Sequence, residues 1–425
     1  MKSKLLLLAL AVGITMPSSS NAQKAPVTLT IVCGSIGDEF ELCRDNVAAW
    51  SKKTGNNVRV LETSANSSER LANYQRVLGE QSADIDIYQI DVVWPGIVNE
   101  YMIDLSPYFK AADQRQYISG ILKSYKIGSK LVAVPWYTDG GALYYRTDLL
   151  QKYGYKTPPT SWNDLVTMAE RIQEGERKTN PNFVGFAYNG RANEGLTCFA
   201  LEVMSAFGAG TIVDLNGAIT VNNQWSAAAL DFAAKRFKNI SPQNIAAFDG
   251  EKTRTLFQEG NAAFMRHWPF AYALAQDQNS AIRGKFGLAR LPSGPRGRFP
   301  ATQGGWGLAV SKFSKNPSVA ADLIKFLTSA DIQRERALRK GYQPTVQSVY
   351  SDDRVVNAYP YFRSFVGRVP VSRPSAVTGA KYARVSAAFA QTVQDVLSGK
   401  SDAKEALTAL ETQLNGIKGS GWTEK

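Results

Sequence analysis

The chain has 425 residues, a formal net charge of +12, and 44% hydrophobic and 20% charged residues. This is an ordinary globular composition on a length that exceeds what one hydrophobic core usually supports, so two domains are expected. The basic surplus is scattered singly rather than gathered in a run, which argues against nucleic acid as a partner, and the lone histidine, His267, leaves histidine metal sites and Ser-His-Asp catalysis one residue to share.

In chain order, Lys2 and Lys4, an apolar run over residues 5–14 and small residues before Gln23 read as a secretory signal peptide cut after Ala22. The apolar run is too short for a membrane helix, which needs about 18 residues or more. Ala22 is not followed by a lipid-accepting Cys, so export to a periplasm is expected. Residues 27–32, 58–61 and 85–90 are short apolar runs separated by amphipathic segments over 38–53 and 68–80. That βαβαβ pattern predicts a parallel sheet, with ligands gathering beyond the carboxyl ends of its strands in "GSIGDE", "SANSS" and the turn at Asp91.

The next stretch, "VPWYTDGGALYYRTDLLQKYG" at 134–154, carries too many rings for a solvated loop and too few aliphatics for an ordinary core strand, while Tyr144 and Tyr145 suit a sheet. Helical periodicity over 162–173, 196–207 and 225–237, with a strand over 183–188, implies a second α/β lobe. Residues 287–300, including "LPSGPRGRFP", read as a loop crossing between lobes, and 304–310 as a strand with a glycine mouth. The chain is then expected to be helical over 317–339, broken at 341–344, and helical again over 382–397 and 403–414.

Of the three cysteines, Cys33 and Cys43 are separated by a strand end and a helix start; packed free thiols are favoured over a disulfide on that spacing. His267 is expected to be structural, beside a functional ring, Trp268. The first turn lacks both GxGxxG and GxxxxGK[ST], and Asp38, Glu39 and Glu41 would repel a phosphate there, so no nucleotide is expected.

Trp94, Trp136, Tyr137, Trp268 and Trp306 all fall at predicted strand ends or loops, next to glycines and to Asp91 or Asp139. A pyranose has an apolar C–H face that stacks on such rings and a belt of hydroxyls that carboxylates and guanidinium groups satisfy in pairs. Sugar binding is therefore the leading reading. A glycoside-processing enzyme using two of Glu39, Asp91 and Asp139 is a rival, as is a ferric-ion transport protein using the adjacent Tyr144 and Tyr145.

The motifs "DVVWPG", "MAERIQEGERKTNPNFVGF", "FQEGNAAFMRHWPFAYAL" and "GGWGLAVSK", with the stretch at 134–154, resemble the extracellular solute-binding proteins of ABC sugar importers, in the trehalose/maltose-binding branch. The resemblance implies a periplasmic-binding-protein fold, two α/β lobes joined by hinge segments with the ligand cleft between them. The N-terminal lobe would comprise residues 23–136 and 303–343, and the C-terminal lobe 137–302 and 344–425. Residue by residue it implies sugar contacts from Glu39, Asn66, Arg70, Asp91, Tyr137, Asp139, Trp268, Gly304, Trp306 and Arg373. It also implies an α-linked disaccharide such as trehalose, maltose or sucrose as ligand, permease subunits in the inner membrane as partners, a monomeric state, no catalytic residues, and neither metal nor cofactor.

Overall fold

The computed structural model describes residues 25–35, 37–296, 300–364 and 371–422. The expected signal peptide lies outside them. Strands β1 (Thr28–Gly34), β2 (Asn57–Thr63) and β3 (Ile87–Asp91) pair in parallel, joined by helices α1 (Glu39–Thr54) and α2 (Ser67–Gly79). This is the βαβαβ unit that the spacing of apolar runs predicts. The segment beginning at Val134 is a strand after all, β4 (Val134–Gly140), because the sheet accepts its rings: Trp136 and Tyr137 are buried beside Tyr342 and Arg336. One residue later β5 (Ala142–Arg146) begins in a different sheet.

The second sheet adds β6 (Val184–Ala187), β7 (Ala262–His267) and β8 (Phe286–Ala289), in the order β8-β5-β7-β6. The chain then returns to the first sheet as β9 (Gln303–Val310), antiparallel between β3 and β4, giving β2-β1-β3-β9-β4. One large apolar cluster fills the first lobe and takes in Tyr144, Met265 and Phe286 of the second sheet, a second cluster fills the rest of the second lobe, and helices α3 (Trp162–Glu176), α4 (Glu194–Phe207), α5 (Gln224–Arg236), α6 (Gly250–Gln258), α9 (Tyr382–Leu397) and α10 (Ala403–Lys418) pack on the second-lobe side. The result is the two-lobed α/β architecture expected. Gly141 is the crossing point between β4 and β5, and a methyl group on it would overlap Glu202 Oε1, so the close approach of a buried ion pair dictates glycine there.

Three expectations need correction. Residues 287–289, expected to open a crossing loop, belong to β8, because they find an open edge beside β5 despite the glycines and prolines that follow. The helix expected over 317–339 is two, α7 (Pro317–Leu327) and α8 (Ala330–Lys340), interrupted where the Thr328 and Ser329 hydroxyls turn back onto the Ile324 and Phe326 carbonyls. Cys33 and Cys43 are joined as a disulfide rather than left as thiols: the tight turn brings α1 back over the end of β1, with the two Cα atoms 6.5 Å apart. Cys198 is free and buried. Among the described residues no helix is long and apolar enough to cross a membrane.

A candidate sugar cleft between the lobes

The carboxyl end of β3, the start of α2, and the glycine mouth of β9 face the loops after β6 and β7 across a cavity of about 870 Å³, counting the solvent at its mouth. Of the ten expected contact residues, eight line it: Asn66, Asp91, Tyr137 and Asp139, with Trp268, Gly304, Trp306 and Arg373.

Trp306 stands on the first-lobe wall, packed edge-on against the buried Trp94 with ring centres 5.3 Å apart. Trp268, directly after β7, stands on the second-lobe wall and is partly exposed. Asp139 lines the same cavity, opposite Gly304 in the β4–β9 register, and its Oδ1 has no hydrogen-bond partner among the described residues. Burial, reinforced by the nearby Asp91, pushes its carboxyl up to about 7. A methyl group on Gly304 would overlap that same Oδ1 and press on Trp268 Cζ3 at 3.1 Å, so the glycine keeps the space between carboxylate and ring open.

Arg373 ties the walls together. Its Nη2 donates to Asp91 Oδ1 (3.2 Å) and to the Gln303 carbonyl (3.0 Å), and its Nη1 to Glu194 Oε1 (2.7 Å). Glu194 also accepts from the hydroxyls of Tyr382 and Ser386, at 2.5 Å each. Burial raises the Asp91 carboxyl above its ordinary range, with Arg373 pulling the other way. Asn66 caps α2, accepting from Ser68 N at 3.0 Å and Glu69 N at 3.3 Å, so its oxygen is already engaged.

Glu39 and Arg70 do not line the cavity. Glu39 is fully buried behind it, accepting from Tyr137 and Gln89. Arg70 lies behind Trp306, its guanidinium carbon 4.1 Å from the ring centre, with its Nε donating to the Ser64 carbonyl. Both were expected as direct contacts and lie one layer behind the first-lobe rings, because the short β1–α1 and β2–α2 turns tuck these side chains under them. Trp94 and Trp136 are likewise core rings rather than cleft rings.

Second-lobe loops and helix starts not expected from the sequence also contribute: Asn189, Asn193, Glu194, Asp249 and Glu251 line the cavity. The signal was available, since 189–194 follow β6 as the first-lobe loops follow their strands, but no ring marks the place. His267 donates through Nε2–H to the Gly250 carbonyl at 3.0 Å, and burial lowers it to about 4, so it is a neutral wall residue. Tyr144 donates to the Trp268 carbonyl from inside the core while Tyr145, on the alternate face of β5, packs beside Gly287, so the two phenols do not converge on a common ion. Among the described residues no group of three or more His, Cys, Asp or Glu could hold a metal.

A family model described as bacterial extracellular solute-binding protein matches residues 37–334. A Deinococcus radiodurans protein named as a probable ABC transporter-binding protein is 47% identical over 416 residues, 97% of this chain and 99% of that one. The galactooligosaccharide-binding protein of Bacillus subtilis is 23% identical over 98% of this chain and 97% of its own. Among solved structures, maltose-bound MalE3 of T. maritima superposes with a TM-score of 0.86 at 33% identity, over 92% of this chain and all of the other.

Proposed function

The chain belongs to the bacterial extracellular solute-binding proteins, the binding components rather than enzymes of ABC importers, here of a sugar importer, and from that premise we propose that its ligand is an α-linked disaccharide such as trehalose, maltose or sucrose. In this reading the protein works as a monomer in the periplasm and hands the sugar to its permease. The observation that carries it is the pair of indoles on opposite walls, Trp268 and Trp306, with the unpartnered Asp139 oxygen in the same cavity. Two rings offer two stacking faces, and a buried carboxylate acceptor left without a donor costs about 1–3 kcal/mol, which a sugar's hydroxyls remove and an apolar ligand does not. The likeness to a maltose-bound relative at 33% identity supports the same class.

The contacts assigned are Asn66, Asp91, Tyr137, Asp139, Trp268, Gly304, Trp306 and Arg373, with Glu39 and Arg70 acting from behind. Isothermal titration of trehalose, maltose and sucrose, with mannitol as an open-chain control, tests the reading. Saturable heat with at least one disaccharide, tighter than with mannitol, is expected. Absence of heat with every disaccharide would remove the proposal.

A further inference from the structure

Beyond the end of β6 the chain separates two spaces. Asn189 lines the sugar cleft, whereas its neighbours Tyr188 and Gly190 line a second cavity of about 1190 Å³, solvent at its mouth included. The other walls of this cavity are the end of α9, at Gln394 and Leu397, and the segment 238–246. Among the described residues no carboxylate lines it, and its charged side chains are Arg177 and Lys238. Within it Ser241 is 4% exposed, and its hydroxyl has no hydrogen-bond partner among the described residues.

We propose that this cavity is a second ligand site, back to back with the sugar cleft, that takes a small hydroxylated anion such as a sugar acid or sugar phosphate. Two cations unopposed by lining carboxylates select a negative charge. A buried hydroxyl without a partner, with Asn239, Gln243 and Ser398 on the walls, selects a ligand that carries its own donors and acceptors. Ile245 and Leu397 offer apolar surface to the C–H faces of such a molecule.

The shared wall couples the two spaces. Gly190 N and Arg191 N both donate to the Phe248 carbonyl at 2.9 Å, and Gln394 Nε2 bridges the Gly190 and Ala246 carbonyls at 2.9 and 3.1 Å. Arg191 in turn reaches Asp249 on the cleft wall (3.9 Å) and Glu69 on the opposite lobe (3.5 Å). An occupant therefore bears on the strip that holds Asn189 and Asp249 in the cleft, and by linkage the cleft sugar and the anion alter each other's affinity by the same factor.

Calorimetric titration of the sugar-free protein with gluconate, glucose 1-phosphate, inorganic phosphate and glucose tests this, in the parent and in Lys238→Glu, Ala246→Trp and Trp268→Ala. Gluconate or glucose 1-phosphate is expected to bind one to one, at least tenfold tighter than glucose or inorganic phosphate. That binding should weaken tenfold or more in Lys238→Glu and in the exposed, cavity-filling Ala246→Trp, and persist in Trp268→Ala. The proposal is overturned if neither hydroxylated anion binds, if inorganic phosphate binds as well as they do, or if the loss occurs in Trp268→Ala instead of Lys238→Glu. These outcomes do not depend on which disaccharide fills the cleft.

Discussion

On the first-lobe wall Arg70 stacks on Trp306 at 4.1 Å, and on the second-lobe wall Arg266 stacks on Trp268 at the same distance. Each guanidinium is buried and faces a buried glutamate, yet the two pairs are tied down differently. Glu202 holds Arg266 through two bonds, 2.7 Å to Nε and 2.5 Å to Nη2, and also accepts from Thr302 N. Glu39 lies 4.0 Å from Arg70, too far for a hydrogen bond, and directs its Oε1 to Tyr137 and Gln89, so Arg70 Nη1 and Nη2 have no hydrogen-bond partners among the described residues. A guanidinium behind an indole leaves one ring face for the ligand and is attracted to the ring it covers. The same device is thus locked in one lobe and loosely held in the other, with the cation–ring contact carrying more of the load on the first-lobe wall.

The sharpest break between the walls is expected in stability. Arg266→Met strands Glu202 in the interior and should cost about 3–5 kcal/mol in urea unfolding. Arg70→Met leaves Glu39 with both its hydrogen-bond donors and removes an underused cation, so a cost below about 2 kcal/mol is expected. Equal losses would erase the distinction. The rings themselves divide the same way. Trp306, 5% exposed and packed on Trp94, should lose about 3–5 kcal/mol of stability on Trp306→Ala as well as its sugar affinity. The partly exposed Trp268 should lose about 1–3 kcal/mol of sugar binding on Trp268→Ala, with little change in the melting of the sugar-free protein.

Asp139 extends the comparison to pH. Sugar hydroxyls donate to its ionised form, while burial holds the empty site's carboxyl at about 7. Below that pH the site must release a proton to bind, so affinity should fall by up to about tenfold per pH unit and level off above it. In the sugar-free protein the sign reverses: this group's contribution to stability is fully present below the ordinary carboxylate pKa and is lost as pH rises through 7. Asp139→Asn should flatten the affinity profile, and titrations in buffers of different ionisation heat would read the proton directly. The smallest effect belongs to the exposed bridge between lobes, Glu69 to Arg191 at 3.5 Å, where Glu69→Gln should change sugar affinity by about 0.2–1 kcal/mol and less at high salt.

The first-lobe sheet was legible because its strands alternate with amphipathic helices and each ends on small polar residues, and the loops that build that wall came with it. The second wall was half legible: Trp268 announced itself as a ring at a strand end, whereas Glu194 and Asp249 sit at plain capped helix starts whose roles arise from what faces them. Depth was the quantity least available. Trp136 and Trp306 look alike in sequence, yet one is sealed under Arg336 and the other lines the cavity. Glu39 and Arg70 were chemically apt for a sugar and lie instead behind the rings. Strand β8 was hidden by its brevity and by the prolines after it, and the disulfide by a turn whose tightness composition does not record.

A crystal structure of the protein with the disaccharide that binds it most tightly tests the central claim most directly. The account predicts pyranose rings stacked on Trp268 and Trp306 at about 4 Å, with at least one hydroxyl donating to Asp139. A sugar bound outside the cavity, or within it touching neither indole, would contradict it.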